Sequence, residues 1–212
     1  MRNSLFVAVG FLIVASMTPA RAQAAQSCWP INQFQTQCEV GLPSDFADAI
    51  ASTQETQFWC WAASAQMIFR YYGLELSQAE IVSTVFGKNL PLAASPADMQ
   101  KLLTSQYEDA QGDHWQVTYR ALPPTLEAVV PELSSENPLL ISTRHHAMVL
   151  TGLDYVLTPA NGVGFTTAAI VRDPFPLAIT FRGWAFGPGK RVLTLDEFQD
   201  IVVTSRVYVQ RL

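Results

Sequence analysis

The strongest constraint on the fold is a change in hydrophobic pattern near residue 115. Before this position, residues 60–72 place apolar side chains at helical spacing, and Gly73 follows as a natural C-terminal stop. After this position, short runs rich in Val, Ile, Leu and Thr have the character of strands. Helices followed by strands predict an α+β protein.

Local signals define the ends of several elements. Capping-box patterns at Ser77–Glu80 and Thr194–Glu197 mark two helix starts, and residues 124–134 are expected to form another helix. The pair at 161–162, Asn-Gly, predicts a tight turn between two strands. Strands are expected at 115–121, 138–143, 146–156, 165–174, 177–186 and 202–212.

The N-terminus has the three parts of a secretory signal peptide. Arg2 gives a positive start, the uncharged apolar run Leu5–Met17 follows, and residues 20–22 fit a signal peptidase site. The alternative is a membrane anchor, but a spanning helix needs about 20 apolar residues and this run is shorter. We therefore expect residues 1–22 to be removed and the mature protein to be secreted or periplasmic, with no membrane attachment.

Charge and size limit the classes of partner. The net charge is −5 and the 13 Lys and Arg residues are not clustered, so no nucleic-acid partner is expected. Residues 23–212 suit one domain with a sizeable core, and we expect a monomer. Within this region, residues 23–53 look irregular apart from a short helix near residues 44–52, and residues 54–212 are expected to form the domain proper.

The chain has three cysteines, Cys28, Cys38 and Cys60, and export would place them where disulfides form. An odd number leaves at least one thiol unpaired within the chain. Cys28 and Cys38 lie close together in a short segment that a disulfide would stabilise by about 2–3 kcal/mol. We expect this pair, although pairing of either cysteine with Cys60 stays open at this point.

Cys60 lies where the first turn of the helix over 60–72 is expected. Unpaired backbone N–H groups and the helix dipole favour a thiolate at such a position. The alternative is a buried, inert thiol of the core. A core thiol would need no base or acid elsewhere in the chain, so the search for such partners separates the two interpretations.

Candidates for both partners follow in the second half. His145 and His146 head an expected strand, and because strand neighbours face opposite sides, only one of them can face a given site. His114 lies in a polar stretch and is interpreted as a surface residue. Asp173 ends the next strand, where a carboxylate would fix the tautomer of an imidazole, although Asp before Pro is also common in turns.

Two glutamines precede Cys60, Gln54 by six residues and Gln57 by three. A side-chain amide together with the Cys60 backbone N–H would bind an oxyanion that develops on a substrate carbonyl. Taken alone, each glutamine is better explained as a surface loop residue.

These segments together resemble the papain-like cysteine peptidases. CWAAS at 60–64 is similar to the family segment around the nucleophile, and Gln54 stands where the family has its oxyanion glutamine. HAMVLTG at 146–152 is similar to the segment around the family histidine. VRDP at 171–174 resembles secreted bacterial members, including the effector-type proteases of plant pathogens. The resemblance spans roughly residues 50–180.

The resemblance implies a papain-like fold, with the cysteine on a central helix in the first half and an antiparallel sheet in the second. It implies Cys60 as nucleophile, His146 rather than His145 as base, Asp173 as orienting acid and Gln54 as oxyanion donor, with no cofactor and no metal. The expected substrate is a peptide or protein. The same thiol chemistry would serve a murein-peptide amidase, a deamidase or a transferase, and a catalytically silent binding module is the remaining alternative.

One segment departs from the family pattern. The Cys-Gly-Ser that precedes the nucleophile in papain is replaced here by Gln57-Phe58-Trp59. The loop before the nucleophile is therefore not expected to carry the disulfide of the plant enzymes.

Overall fold

The computed structural model describes residues 26–158, 160, 162–175 and 189–212. Three expectations therefore lie outside the described residues: the signal peptide at 1–22, Asn161 of the turn, and the strand at 177–186.

The described residues form six helices and nine strands. The helices are α1 Ser44–Ile50, α2 Cys60–Tyr71, α3 Gln78–Phe86, α4 Pro96–Leu102, α5 Leu126–Ser134 and α6 Leu195–Gln199. The strands are β1 Ser27–Asn32, β2 Gln35–Gly41, β3 Gln106–Glu108, β4 His114–Ala121, β5 Leu139–Ser142, β6 Ala147–Thr158, β7 Val163–Arg172, β8 Lys190–Val192 and β9 Val203–Arg211.

These strands join one antiparallel sheet around the long strand β6. One edge of β6 pairs first with β5 and then with β2, and its other edge pairs with β7. The path across the sheet runs β1-β2-β6-β5-β9-β4-β3, and β8 extends the sheet beyond β7. The last strand, β9, therefore lies in the middle of the sheet. A mixture of helices and antiparallel strands confirms the expected α+β class.

The sheet separates two hydrophobic clusters. Ala147 and Val149 of β6 belong to the cluster on the α2 side, whereas Met148 and Leu150 belong to the cluster on the α5 side. This division follows from the alternation of side chains along a strand. Helix α2 buries nine of its 12 residues, and its alanines allow close approach to the sheet. The helix that begins at Cys60 is therefore fixed by packing along most of its length.

The expectation of irregular structure ahead of the short helix near residues 44–52 is wrong for residues 27–41. Residues 27–41 form the hairpin β1–β2, and α1 follows it. The predicted disulfide between Cys28 and Cys38 is confirmed, and it joins two residues that face each other across the hairpin with 4.1 Å between their Cα atoms. Pairing of β2 with β6 over residues 36–41 supplies the order that local propensity in this segment does not.

The division into a helical half and a strand half is only partial. Strands β1 and β2 precede the first helix, and helices α5 and α6 lie among the later strands. The capping boxes predicted at Ser77–Glu80 and Thr194–Glu197 are both present. His114, expected in a polar loop, is the first residue of β4, where it remains exposed. Among the described residues, every helix is too short or too polar to cross a bilayer.

Candidate active site

Cys60 is the first residue of α2, and its neighbours Trp59 and Trp61 fix its position. Both indoles are buried, and their Nε1–H groups donate to the carbonyls of Leu90 and Leu92 at 2.8 and 3.1 Å. The thiol itself is free and only partly buried. The two tryptophans therefore anchor the start of α2 against the 87–95 loop and leave the sulfur within reach of solvent.

The hairpin of β6 and β7 brings a histidine and a carboxylate into contact. His146 stands directly before β6, Asp173 directly after β7, and the two strands pair antiparallel between them. His146 Nε2 lies 2.6 Å from Asp173 Oδ1. The Asp173 side chain is 4% exposed, and the His146 ring forms a hydrogen bond with the Cys60 thiol. Because Nε2 is engaged by Asp173, Nδ1 is the ring nitrogen left for the sulfur.

The protonation of Cys60 follows from this contact. Burial raises the pKa of the thiol, but the hydrogen bond with His146, backbone N–H groups of Ala147 and Trp61, and the imidazolium charge outweigh burial. The pKa of Cys60 therefore lies below its ordinary value. A lowered pKa favours the thiolate, which is the nucleophilic form of cysteine.

The histidine and the carboxylate shift in the complementary directions. Burial lowers the pKa of His146, yet the hydrogen bonds and negative charges of Asp173 and Cys60 raise it to about 9. Burial raises the pKa of Asp173, but His146, the Phe175 backbone N–H and Arg191 bring it below its usual range. The arrangement therefore favours a thiolate–imidazolium pair beside a charged carboxylate at neutral pH.

Two contacts of this site were not found from the sequence. Phe175 donates its backbone N–H to Asp173 Oδ1 at 2.9 Å, and its ring stands edge-on to His146 with 6.3 Å between ring centroids. Arg191 donates Nε–H to Asp173 Oδ2 at 2.6 Å. Phe175 directly follows the Asp-Pro pair, so the motif itself could have indicated its contact with Asp173. No local signal marks Arg191, because it reaches Asp173 only through the pairing of β8 with β7.

Gln54 lies in the loop before α2 and is buried, so it is not a surface residue. Its backbone N–H donates to the Pro174 carbonyl at 2.8 Å, which ties this loop to the residue after Asp173. Its side-chain Nε2 donates to the carbonyls of Thr56 and Gln57 at 3.0 and 2.8 Å, and its Oε1 has no partner among the described residues. Both amide hydrogens are thus engaged by the protein, and the side chain of Gln57 is exposed.

A buried network of glutamines holds this loop against the helices. Gln66 of α2 accepts a hydrogen bond from Ser52 at 2.6 Å and donates to the Leu76 carbonyl at 2.7 Å. Gln78 of α3 donates to the Thr53 carbonyl at 2.8 Å and accepts from the Glu55 backbone at 2.9 Å. The backbone on both sides of Gln54 is therefore fixed from α2 and α3.

The remaining histidines lie apart from this group. His145 is exposed, and its backbone N–H approaches Thr143. His114 is exposed beside Glu108 on β4 and β3. Within the described part of the chain, His, Cys, Asp and Glu side chains do not form a group of three or more that would hold a metal ion.

Comparison with known families matches this chain to one model. The family described as papain-like cysteine protease AvrRpt2 matches residues 44–179, which is more than half of the chain. The matched span includes Gln54, Cys60, His146 and Asp173, but not Arg191. No curated protein matches the chain.

Proposed function

Because the chain belongs to the papain-like cysteine protease AvrRpt2 family and is therefore a cysteine peptidase, we propose that it hydrolyses peptide bonds through a triad of Cys60, His146 and Asp173. The observation that carries this proposal is the chain of contacts from Cys60 to the His146 ring and from His146 Nε2 to Asp173 Oδ1 at 2.6 Å. These contacts support the proposal because covalent catalysis requires a nucleophile beside a base and a base beside an orienting acid.

In this mechanism the Cys60 thiolate attacks the scissile carbonyl carbon and forms a tetrahedral intermediate. The intermediate collapses as the C–N bond breaks, and the His146 imidazolium gives its proton to the leaving amine. The resulting acyl-enzyme is hydrolysed by water, which His146 deprotonates as it attacks. Cys60 leaves as the thiolate, and the imidazolium is restored. Asp173 keeps the ring oriented throughout and stays ionised.

For the oxyanion we propose the Cys60 backbone N–H and the side-chain amide of Gln54. The first N–H groups of α2 have no acceptor within the helix, so the Cys60 N–H is available to substrate. Gln54 is buried, and its backbone is tied to Pro174 beside Asp173. Its two amide hydrogens are engaged by Thr56 and Gln57, so one of them would turn from its carbonyl towards substrate.

Family membership assigns peptide or protein substrates to this enzyme. We propose further that residues 1–22 direct export and are removed, and that the mature enzyme acts as a monomer in the periplasm or outside the cell. The Cys28–Cys38 disulfide supports this location, because disulfides persist in oxidising compartments.

Alkylation of Cys60 tests the thiolate. We expect iodoacetamide to modify Cys60 at pH 6 faster than it modifies free cysteine, because the lowered pKa keeps the thiolate populated where an ordinary thiol is protonated. Second-order rate constants would be measured from pH 4 to 10, with loss of peptide hydrolysis followed in parallel.

The matched control for this experiment is His146→Ala, which removes the imidazolium. Its alkylation profile should move towards that of free cysteine. A wild-type profile that already follows free cysteine would contradict the activated thiolate.

The oxyanion assignment predicts a loss of turnover. Replacing Gln54 with Ala should lower kcat/KM by about 10²- to 10³-fold, because one donor to the transition state is removed. Gln57→Ala, three residues before Cys60 and with an exposed side chain, is the matched control and should stay within about threefold of wild type. Melting temperatures of both variants separate lost chemistry from a disturbed loop. Retained activity in Gln54→Ala would remove this residue from the mechanism.

A further inference from the structure

We propose that Arg191 is a positioning residue for catalysis, which holds the Asp173 carboxylate in the orientation that His146 needs. This inference rests on the triad proposed above and extends it by a fourth side chain outside the matched family span. Among the described residues, Arg191 forms hydrogen bonds with Asp173, Glu197 and Met148 and not with Cys60. It acts through Asp173.

The two oxygens of Asp173 have separate partners. Oδ1 accepts hydrogen bonds from His146 Nε2 at 2.6 Å and from the Phe175 backbone N–H at 2.9 Å. Oδ2 accepts from Arg191 Nε at 2.6 Å, which is its one hydrogen bond from a side chain of the described residues. A carboxylate held at both oxygens cannot rotate about its Cβ–Cγ bond without losing donors. Arg191 therefore fixes the plane in which Oδ1 meets His146.

The guanidinium is itself held in three directions. Besides Asp173, Arg191 donates Nη1 to Glu197 at 2.9 Å and Nη2 to the Met148 sulfur at 3.3 Å. Glu197 is fixed at the start of α6 by its capping box with Thr194. The planar guanidinium has several N–H donors and can bind these three acceptors at the same time. A lysine ammonium on its flexible side chain cannot hold the same geometry.

The same contact offsets the cost of burying a charge. An ionised carboxylate that is 4% exposed is unfavourable unless it is paired and hydrogen-bonded. Among the described residues, the charged groups that face Asp173 are His146 and Arg191, with Cys60 beyond His146 and Glu197 beyond Arg191. Arg191 is the partner whose charge persists at every working pH, so it keeps the carboxylate ionised whichever form His146 takes.

Loss of Arg191 should raise the pKa of Asp173. Hydrogen bonding with Arg191 helps to lower the pKa of Asp173 against the effect of burial. Without Arg191 the pKa of Asp173 rises, and the carboxylate takes up a proton at a higher pH on acidification. A protonated Asp173 no longer stabilises the imidazolium, so activity should be lost earlier as the pH falls.

The test compares Arg191→Met and Arg191→Lys with wild type, using kcat/KM for a peptide substrate from pH 4 to 10. Arg191→Met should lose about 10- to 100-fold at neutral pH, and its acid limb should move to higher pH. Arg191→Lys should keep the acid limb near its wild-type position, because a charge remains, but lose part of kcat/KM. Thermal unfolding establishes that each variant is folded.

Glu197→Gln is the matched control, since it removes the negative charge of the partner of Arg191 on α6 and so weakens that contact. If Arg191 only connected β8 to α6, then Glu197→Gln and Arg191→Met would change kcat/KM and the acid limb in the same way. Under the proposal, Glu197→Gln leaves Arg191 on Asp173 and does not move the acid limb to higher pH.

Three outcomes would overturn the inference: a wild-type profile in Arg191→Met, an acid limb shifted equally by Glu197→Gln, or full kcat/KM in Arg191→Lys. The third decides the question even where Arg191→Met does not fold. Failure of the proposed triad would give a different result. In that case wild type would hydrolyse the peptide, and the Cys60→Ala variant would hydrolyse it as well.

Discussion

Replacing Cys60 with Ala is expected to abolish peptide hydrolysis, with kcat/KM reduced by about 10⁴-fold or more. The reason is that the remaining groups can bind and polarise a carbonyl but cannot form the acyl-enzyme. The change removes one partly buried sulfur atom at the first position of α2 and leaves the buried residues 61–69 untouched. Initial rates with a fluorogenic peptide would measure the loss.

The fold of this variant should be retained, which circular dichroism and thermal unfolding would check. Cys60→Ser is a useful companion, because it keeps size and polarity while replacing the thiolate with a hydroxyl that stays protonated. Hydrolysis that persists in both variants would place the nucleophile elsewhere. Wild-type protein that hydrolyses no peptide would instead favour the catalytically silent binding module considered from the sequence.

Replacing His146 with Ala should have an effect of similar size. The ring is the proton carrier in both halves of the proposed mechanism, and the raised pKa of about 9 shows how strongly Asp173 and Cys60 hold its proton. Loss of the imidazolium also removes a main cause of the lowered thiol pKa. Both kcat/KM and the alkylation rate of Cys60 should therefore fall, and the two measurements together identify the base.

His145 provides a control at the adjacent position. Its side chain is exposed, so His145→Ala should leave kcat/KM within about threefold of wild type. Large losses in His145→Ala with activity retained in His146→Ala would reverse the assignment. The pair separates the role of one ring from a general disturbance of the turn before β6.

Much of the site could be predicted because its determinants are local. Cys60 is marked by the start of a helix, and His146 and Asp173 stand at the ends of two strands that are consecutive in the chain and pair antiparallel. The turn signal predicts this hairpin, although the pairing also has two register shifts, between Leu150 and Gly152 and between Asp154 and Tyr155, that the sequence does not reveal. Helix starts were predicted for the same reason, since a capping box lies within four residues.

The missing parts depend on contacts that are distant in sequence. Arg191 reaches Asp173 because β8 pairs with β7. The residues adjacent to Arg191 in sequence do not predict that pairing. Strand β2 is ordered by β6, whose residues lie more than 100 positions later. The side-chain amide of Gln54 is oriented by its hydrogen bonds with two carbonyls of its own loop. The sequence does not indicate which acceptors this amide binds.

The central place of β9 in the sheet has a consequence for stability. Among the described strands, β4 and β5 are joined through β9, which pairs with both of them. If β9 detaches, the proposed nucleophile, base and acid stay in the chain, but the strand that joins the two sides of the sheet is lost. A change that weakens the pairing of residues 203–211 should therefore open the sheet between β5 and β4, although none of the proposed catalytic side chains lies in that segment.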